Sequence, residues 1–164
     1  SKAVIDEDHP ASLGTYMGAI TQTERARRAV DEAALLVMVG TVVSDFTTGF
    51  FTQAFDPTAA VELALDHARI GYAVYPEVRL DDALEVLARV TAAAGFAAAE
   101  AIDVPDLDAP APAADDAPLD HAIFWHELQG WLPRETTVVA EAGTSFYGAL
   151  DLRLPERSDL LGQP

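Results

Sequence analysis

Residues 100–120 read EAIDVPDLDAPAPAADDAPLD, a run of alanine, proline and aspartate with no helical or strand period. Its prolines cannot join a hydrogen-bonded ladder and its carboxylates repel one another, so the stretch reads as a semi-extended linker. That divides the chain into residues 1–99, a linker at 100–118 and residues 119–164. The last piece is short for a core of its own and reads as the opening of a larger domain.

On either side of the linker, helical patterns alternate with short apolar runs. TQTERARRAVDEA (21–33) predicts a helix, with Thr21 or Thr23 as its cap and Glu24 in the first turn. LLVMVGTVV (35–43) is continuous and β-branched, the pattern of a strand buried on both faces of a parallel sheet. SDFTTGFFTQAFDPT (44–58) reads as a loop with a possible short helix. AAVELAL (59–65) is a second strand candidate, followed by DHAR and the apolar stretch IGYAVYP. RLDDALEVLARVTAAAG (79–95) is an amphipathic helix, with Leu80, Leu84, Val86, Leu87 and Val90 as its apolar face and Gly95 as its stop. DHAIFWHELQGWL (120–132) predicts a helix with Phe124, Leu128 and Trp131 on one side, and TTVVAEAGTS a third buried strand that feeds a loop. The fold class is α/β: an incomplete, mainly parallel, Rossmann-like sheet and then the first helix–strand unit of a second α/β domain. A parallel sheet short of strands exposes an unpaired edge, so residues 1–99 are expected to pair with further polypeptide.

Charge narrows the partners. Ten Lys and Arg stand against 27 Asp and Glu, a formal net charge of -17. Such a surface repels phosphate backbones and anionic lipid headgroups, which argues against nucleic-acid and membrane binding. With no cysteine, disulfides, zinc–thiolate sites and thiol nucleophiles are excluded. No apolar run reaches the length of a membrane span and the first residues lack a signal pattern, so the expected setting is the cytoplasm.

The best candidate site is Gly143, Thr144 and Ser145, where a strand delivers a glycine and two hydroxyls. In open α/β sheets ligands bind beyond the carboxyl ends of strands, and such a loop suits a phosphate. The competing reading is a strand-to-helix turn with Thr144 or Ser145 as N-cap. SDFTTG (44–49) offers Asp45, Thr47 and Thr48 in the same position after a strand, against a turn whose side chains bond their own backbone. The histidines His9, His67, His121 and His126 form no pair at metal-binding spacing, and each reads as a surface or capping residue. Asp6, Glu7 and Asp8 are a local acidic cluster, weak as a Mg²⁺ site. No G-x-G-x-x-G and no G-x-S-x-G occurs.

Three stretches together resemble one family. DEDHPASLGTYMGAIT (6–21) resembles the HP and GTY-x-G turn of thiamine-diphosphate-dependent 2-oxo acid decarboxylases, LLVMVGTVVSDFTTGFF (35–51) their central-domain strand running into SDF-x-TG, and VVAEAGTSFYG (138–148) the GTS loop of their pyrophosphate-binding domain. The resemblance is to the pyruvate and indolepyruvate decarboxylase type. The resemblance implies that residues 1–99 are the later part of a central domain, 100–118 an interdomain linker and 119–164 the start of the pyrophosphate-binding domain. It implies thiamine diphosphate and Mg²⁺ as cofactors, a 2-oxo acid as substrate, and a homodimer or homotetramer for the intact enzyme. Gly143, Thr144 and Ser145 match the loop that contacts the cofactor diphosphate. The family's activating glutamate, catalytic histidines and Mg²⁺ motif have no counterpart here, so no catalytic or metal residue is assigned and the 164 residues alone are expected to be inactive. Flavin-binding cousins such as acetolactate synthase carry an acidic signature where this chain has VELALDHAR, which disfavours a flavin. The alternatives are a non-catalytic nucleotide- or effector-binding α/β module and an acetolactate-synthase-like carboligase.

Overall fold

A computed structural model describes residues 5, 7, 9, 11–21, 23–95 and 118–163, apart from the side chain of Gln163. Most of the proline-rich segment, residues 100–117, lies outside the described residues, as do Asp6 and Asp8. The chain divides into two units, residues 16–98 and residues 1–15 with 99–164.

In the first unit, α1 (Glu24–Asp31) starts where Thr23 accepts a hydrogen bond from the Ala26 N–H. Strand β1 (Leu36–Val39) pairs in parallel with β2 (Ala60–Leu63), in the register Leu36 to Ala60 and Val39 to Leu63. β2 then pairs antiparallel with β3 (His67–Ile70), and β3 with β4 (Ala73–Pro76), giving the order β1-β2-β3-β4. Helix α2 (Leu80–Ala94) ends at Gly95, whose left-handed φ of 64° is the usual glycine stop.

The α/β class holds, and the sheet is mixed. Residues 67–76, HARIGYAVYP, of which IGYAVYP is expected only as an apolar stretch, form a hairpin, with Gly71 at φ 56° opening its two-residue turn. Its inner strand carries a charge: Arg69 sits directly opposite Glu62 in the β2–β3 register, pairs with it at 2.7 Å, and donates to the carbonyls of Pro57 and Gly71. A cross-strand ion pair with its remaining donors satisfied lets a charged residue sit in a half-buried strand.

Burial is thinner than the sequence pattern implied. β1 stops at Val39, and Val39, Leu35 and Val42 are exposed instead of buried on both faces. Its second edge has no partner among the described residues. Helix α2 buries no residue fully, and Leu84, Val86 and Val90 of its apolar face are exposed. A strand is buried on both faces only when layers cover both, and here one side of β1 and the outer side of α2 face solvent.

The crossover from β1 to β2 contains no α-helix. It is a turn over residues 45–51 and a short 3-10 helix, Pro57–Ala59, capped by Asp56. The turn locks onto the GTYMG segment through two glycines. Gly18 and Gly49 have φ of 52° and 59°, and their backbones touch: a Cβ on Gly49 would fall on the Met17 carbonyl oxygen, and one on Gly18 on that of Thr48. Hydroxyls close the contact. Thr52 Oγ1 accepts from the Ala19 N–H at 2.9 Å and donates to the Gly49 carbonyl at 2.7 Å. Thr21 Oγ1 accepts from the Met17 N–H and donates to the Gly18 carbonyl. Phe50 and Phe51 continue in the left-handed region, at φ 61° and 62°, although both are exposed. Such backbone costs about 1–2 kcal/mol per non-glycine residue. It is offset by bonds from the Phe50 N–H to the Asp45 carbonyl and from the Phe51 N–H to Thr48 Oγ1.

Tyr16 ties the same segment to α1: its hydroxyl donates to Asp31, which also accepts from the Ala54 N–H, and its ring meets Phe55 at 6.0 Å. Burial first, and then the bond to the Asp31 carboxylate, push the phenol above its usual range. The folded chain therefore holds this proton more tightly than the unfolded chain. The stabilisation is complete below about pH 10, the unfolded value, and is lost as pH rises through the folded one. Tyr16→Phe should lower stability at pH 7 by about 1 kcal/mol, the net worth of one hydrogen bond. It should also flatten the alkaline part of a Tm-against-pH curve. A wild-type and a variant curve that fall in parallel above pH 10 would refute this.

In the second unit, α3 (His121–Trp131), capped by Asp120, precedes β5 (Thr137–Glu141); α4 (Thr144–Leu150) follows at once, and β6 (Asp159–Gln163) pairs in parallel with β5. The core is Ala140, Ala149, Leu150, Leu152, Leu154 and Leu160. On the opposite face of the two-stranded ribbon the cross-strand pair Val139 and Leu161 is exposed. The N-terminal segment belongs to this unit, where Glu7 accepts from the Leu154 N–H at 2.9 Å. No helix among the described residues is long and apolar enough to cross a membrane.

Candidate functional site

β5 ends at Glu141, and two residues later Gly143 stands as the N-cap of α4. Neither Thr144 nor Ser145 caps the helix, so that reading of the hydroxyls fails: both lie inside it, and no side chain makes the cap bond. Ser145 Oγ instead donates back to the Glu141 carbonyl at 3.1 Å, which fixes the turn from strand to helix. The Thr144 side chain is exposed, and its hydroxyl has no partner among the described residues. Of the three residues read from the sequence, Thr144 offers a hydroxyl for a ligand and Ser145 uses its own locally.

Gly143 supplies a second observation. Its φ of 178° is extended backbone open to any residue, and a Cβ there would meet no atom within 4 Å. The glycine is needed neither for its own conformation nor for packing. A missing side chain at the tip of a strand-to-helix turn leaves room for a ligand to approach the backbone. This fits one edge of a diphosphate: an open approach to main chain beside an unengaged hydroxyl.

The loop is held from behind by α3, on a face the apolar pattern did not single out. Phe124 and Trp131 are exposed. The contacts run instead through His121, Trp125 and Gln129, spaced four apart on one side of the helix. Trp125 lies against Gly148 of α4, where a Cβ would fall inside the indole ring, and Phe124 packs edge-on against it at 5.0 Å. Its Nε1–H lies 3.0 Å from His121 Nε2, which in turn lies 3.3 Å from the Thr144 carbonyl oxygen. Gln129 bonds Arg153 in both directions, donating to its carbonyl at 2.9 Å and accepting from its N–H at 2.6 Å. His121, expected as a surface or capping residue, is exposed, and its ring also reaches the Thr144 carbonyl of the loop. The available signal was an indole N–H, on a half-buried tryptophan, with an acceptor one helical turn away.

SDFTTG follows the self-contained reading. Thr47 Oγ1 donates to the Val42 carbonyl and accepts from the Ser44 N–H, Thr48 Oγ1 donates to the Ser44 carbonyl at 2.5 Å, and Asp45 accepts from the Phe46 N–H. These side chains serve the turn itself. His9 Nδ1 accepts from the Ala11 N–H, and His67 Nδ1 meets Asp66 at 2.9 Å. Among the described residues no three His, Cys, Asp or Glu side chains converge to hold a metal.

Comparison with known proteins places the chain. Residues 1–90 match the family described as "Thiamine pyrophosphate enzyme, central domain". The chain belongs to this family. Its relatives include the alpha-keto-acid decarboxylases of Mycobacterium bovis (strain BCG / Pasteur 1173P2) and Mycobacterium tuberculosis (strain ATCC 25618 / H37Rv), each 34% identical over 163 residues. These alignments cover 99% of this chain and 29% of each relative. The alpha-keto-acid decarboxylase of Mycobacterium leprae (strain TN) is 33% identical over 167 residues, which cover 99% of this chain and 28% of the relative. The chain thus spans less than a third of the length of the curated relatives it matches. These alignments run past the central-domain match and through the Gly143–Ser145 loop.

Proposed function

We propose that these residues form part of a thiamine-diphosphate-dependent, non-oxidative 2-oxo acid decarboxylase acting on pyruvate, phenylpyruvate or indolepyruvate. The observation that carries this reading is the alignment over 99% of the chain with proteins named alpha-keto-acid decarboxylase. On this reading residues 1–99 are the later part of the central domain, 100–118 the linker and 119–164 the start of the pyrophosphate-binding domain. Thiamine diphosphate, when bound, supplies carbanion stabilisation. This chain contributes scaffold and one edge of the diphosphate site. Gly143 admits the ligand to the main chain, Thr144 offers its hydroxyl, and Ser145 sets the turn through Glu141. The Mg²⁺ ligands and the acid–base groups belong to other parts of the polypeptide. The open edge of β1, flanked by exposed Leu35, Val39 and Val42, supports pairing with further polypeptide, and the intact enzyme is a homodimer or homotetramer.

The test is a decarboxylation assay on a polypeptide of the relatives' length that contains these residues, supplied with thiamine diphosphate and Mg²⁺. Turnover of at least one of the three acids is expected, and none from the 164 residues alone. Turnover by the 164 residues would show that the acid–base groups had been wrongly placed elsewhere. A longer chain inert on all three acids would overturn the substrate class.

A further inference from the structure

His121 Nε2 faces two neighbours that want opposite things. The indole N–H of Trp125, 3.0 Å away, only donates; the Thr144 carbonyl, 3.3 Å away, only accepts. One ring nitrogen presents either a lone pair or a proton, so it can bond one of them at a time. Trp125 is hemmed in by Gly148 and Phe124, and Thr144 is fixed as the first residue of α4. Each partner is held by the helix that carries it, and the choice falls to the exposed imidazole.

We propose that His121 is a positioning residue for the Gly143–Ser145 loop: with a proton on Nε2 it ties the Thr144 carbonyl to α3, and without one it binds the Trp125 indole and lets that carbonyl go. The neutral ring with its proton on Nδ1 accepts from Trp125 and leaves the Thr144–Ser145 peptide unattached to α3. Protonation puts a hydrogen on Nε2 as well, which turns to the Thr144 carbonyl and strips the indole of its acceptor. The other titratable groups on the elements packed here are Asp120, His126 and Glu127 on or beside α3, Glu141 at the end of β5, and Tyr147 and Asp151 on or after α4. Asp120 is engaged with the Ile123 N–H at 2.8 Å. The relevance to cofactor binding rests on the proposed diphosphate loop, whereas the exchange itself does not.

The test uses the isotope-labelled 164-residue chain without cofactor, followed by NMR from pH 5 to 8. Two signals report the two bonds: the Trp125 Nε1–H, and the backbone amide of Ser145, whose nitrogen shares a peptide unit with the Thr144 carbonyl. Both should titrate with one common midpoint, and both titrations should disappear in His121→Phe. His121→Gln carries donor and acceptor on separate atoms, so it should hold both neighbours and show no titration at either signal. A Ser145 amide that stays flat while Trp125 moves, two different midpoints, or titrations that survive in His121→Phe would each overturn the proposal. If His121→Phe fails to fold, the comparison of wild-type midpoints still decides. Because no cofactor is added, a failure of the cofactor reading would leave these titrations untouched.

Discussion

Gly49→Ala should destabilise the unit formed by residues 16–98 by about 3 kcal/mol, from two costs that add. A left-handed alanine costs about 1–2 kcal/mol relative to glycine. Gly49 has φ 59°, and its new Cβ would also fall on the Met17 carbonyl oxygen. That oxygen is main chain and cannot rotate aside. Forcing extra volume into a filled contact costs about 1–3 kcal/mol more. Gly40 is the internal control: its φ is also 59°, but a Cβ there meets nothing within 4 Å. Gly40→Ala should therefore show only the conformational cost, about 1 kcal/mol. Thermal unfolding of the two variants side by side separates the terms. Equal losses would mean that the contact between the GTYMG and SDFTTG turns adds nothing.

The second large effect reverses the sign that local propensity alone assigns. Gly148 lies inside α4, where alanine is normally better than glycine by about 1 kcal/mol. Packing opposes that gain, because a Cβ at this position falls inside the indole of Trp125. The ring packs against Phe124 and is engaged with His121, so moving it aside disturbs both contacts. Gly148→Ala should lower stability by about 1–3 kcal/mol, the range for overpacked sites. Adding Trp125→Phe, a smaller ring, should recover part of the loss, giving an interaction energy of opposite sign in a double-mutant cycle. A Gly148→Ala chain more stable than wild type would show that the indole yields and that α3 does not brace this helix.

The elements with local signals were legible in the sequence. Thr23 capped α1, Gly95 stopped α2, and the VVAE run gave β5 with its loop after it. The β3–β4 hairpin was not legible. Arg69 interrupts the apolar pattern, and only its register with Glu62 shows that the charge is satisfied in the sheet. The contact of Gly18 with Gly49 depends on φ at both positions and on main chain 31 residues apart, which no window of sequence contains. The contacting face of α3 was not legible for a related reason. Phe124 and Trp131 dominate the apolar pattern, yet Trp125, His121 and Gln129 make the contacts, because Gly148, Thr144 and Arg153 supply partners for them. At the candidate site the three residues were legible as a group. Their division of labour was not, because the bond from Ser145 to the Glu141 carbonyl fixes which hydroxyl remains for a ligand.

Gly143→Ala tests most directly the proposed contact of the Gly143–Ser145 loop with the cofactor diphosphate. Its added Cβ meets no protein atom within 4 Å, and its φ of 178° suits alanine. Thermal stability should therefore stay within about 0.5 kcal/mol of wild type, as for other surface changes. Thiamine diphosphate affinity, titrated calorimetrically with Mg²⁺ on the relatives-length polypeptide, should fall by at least tenfold, about 1.4 kcal/mol. An unchanged affinity alongside unchanged stability would contradict the account, because it would leave Gly143 with no ligand to admit.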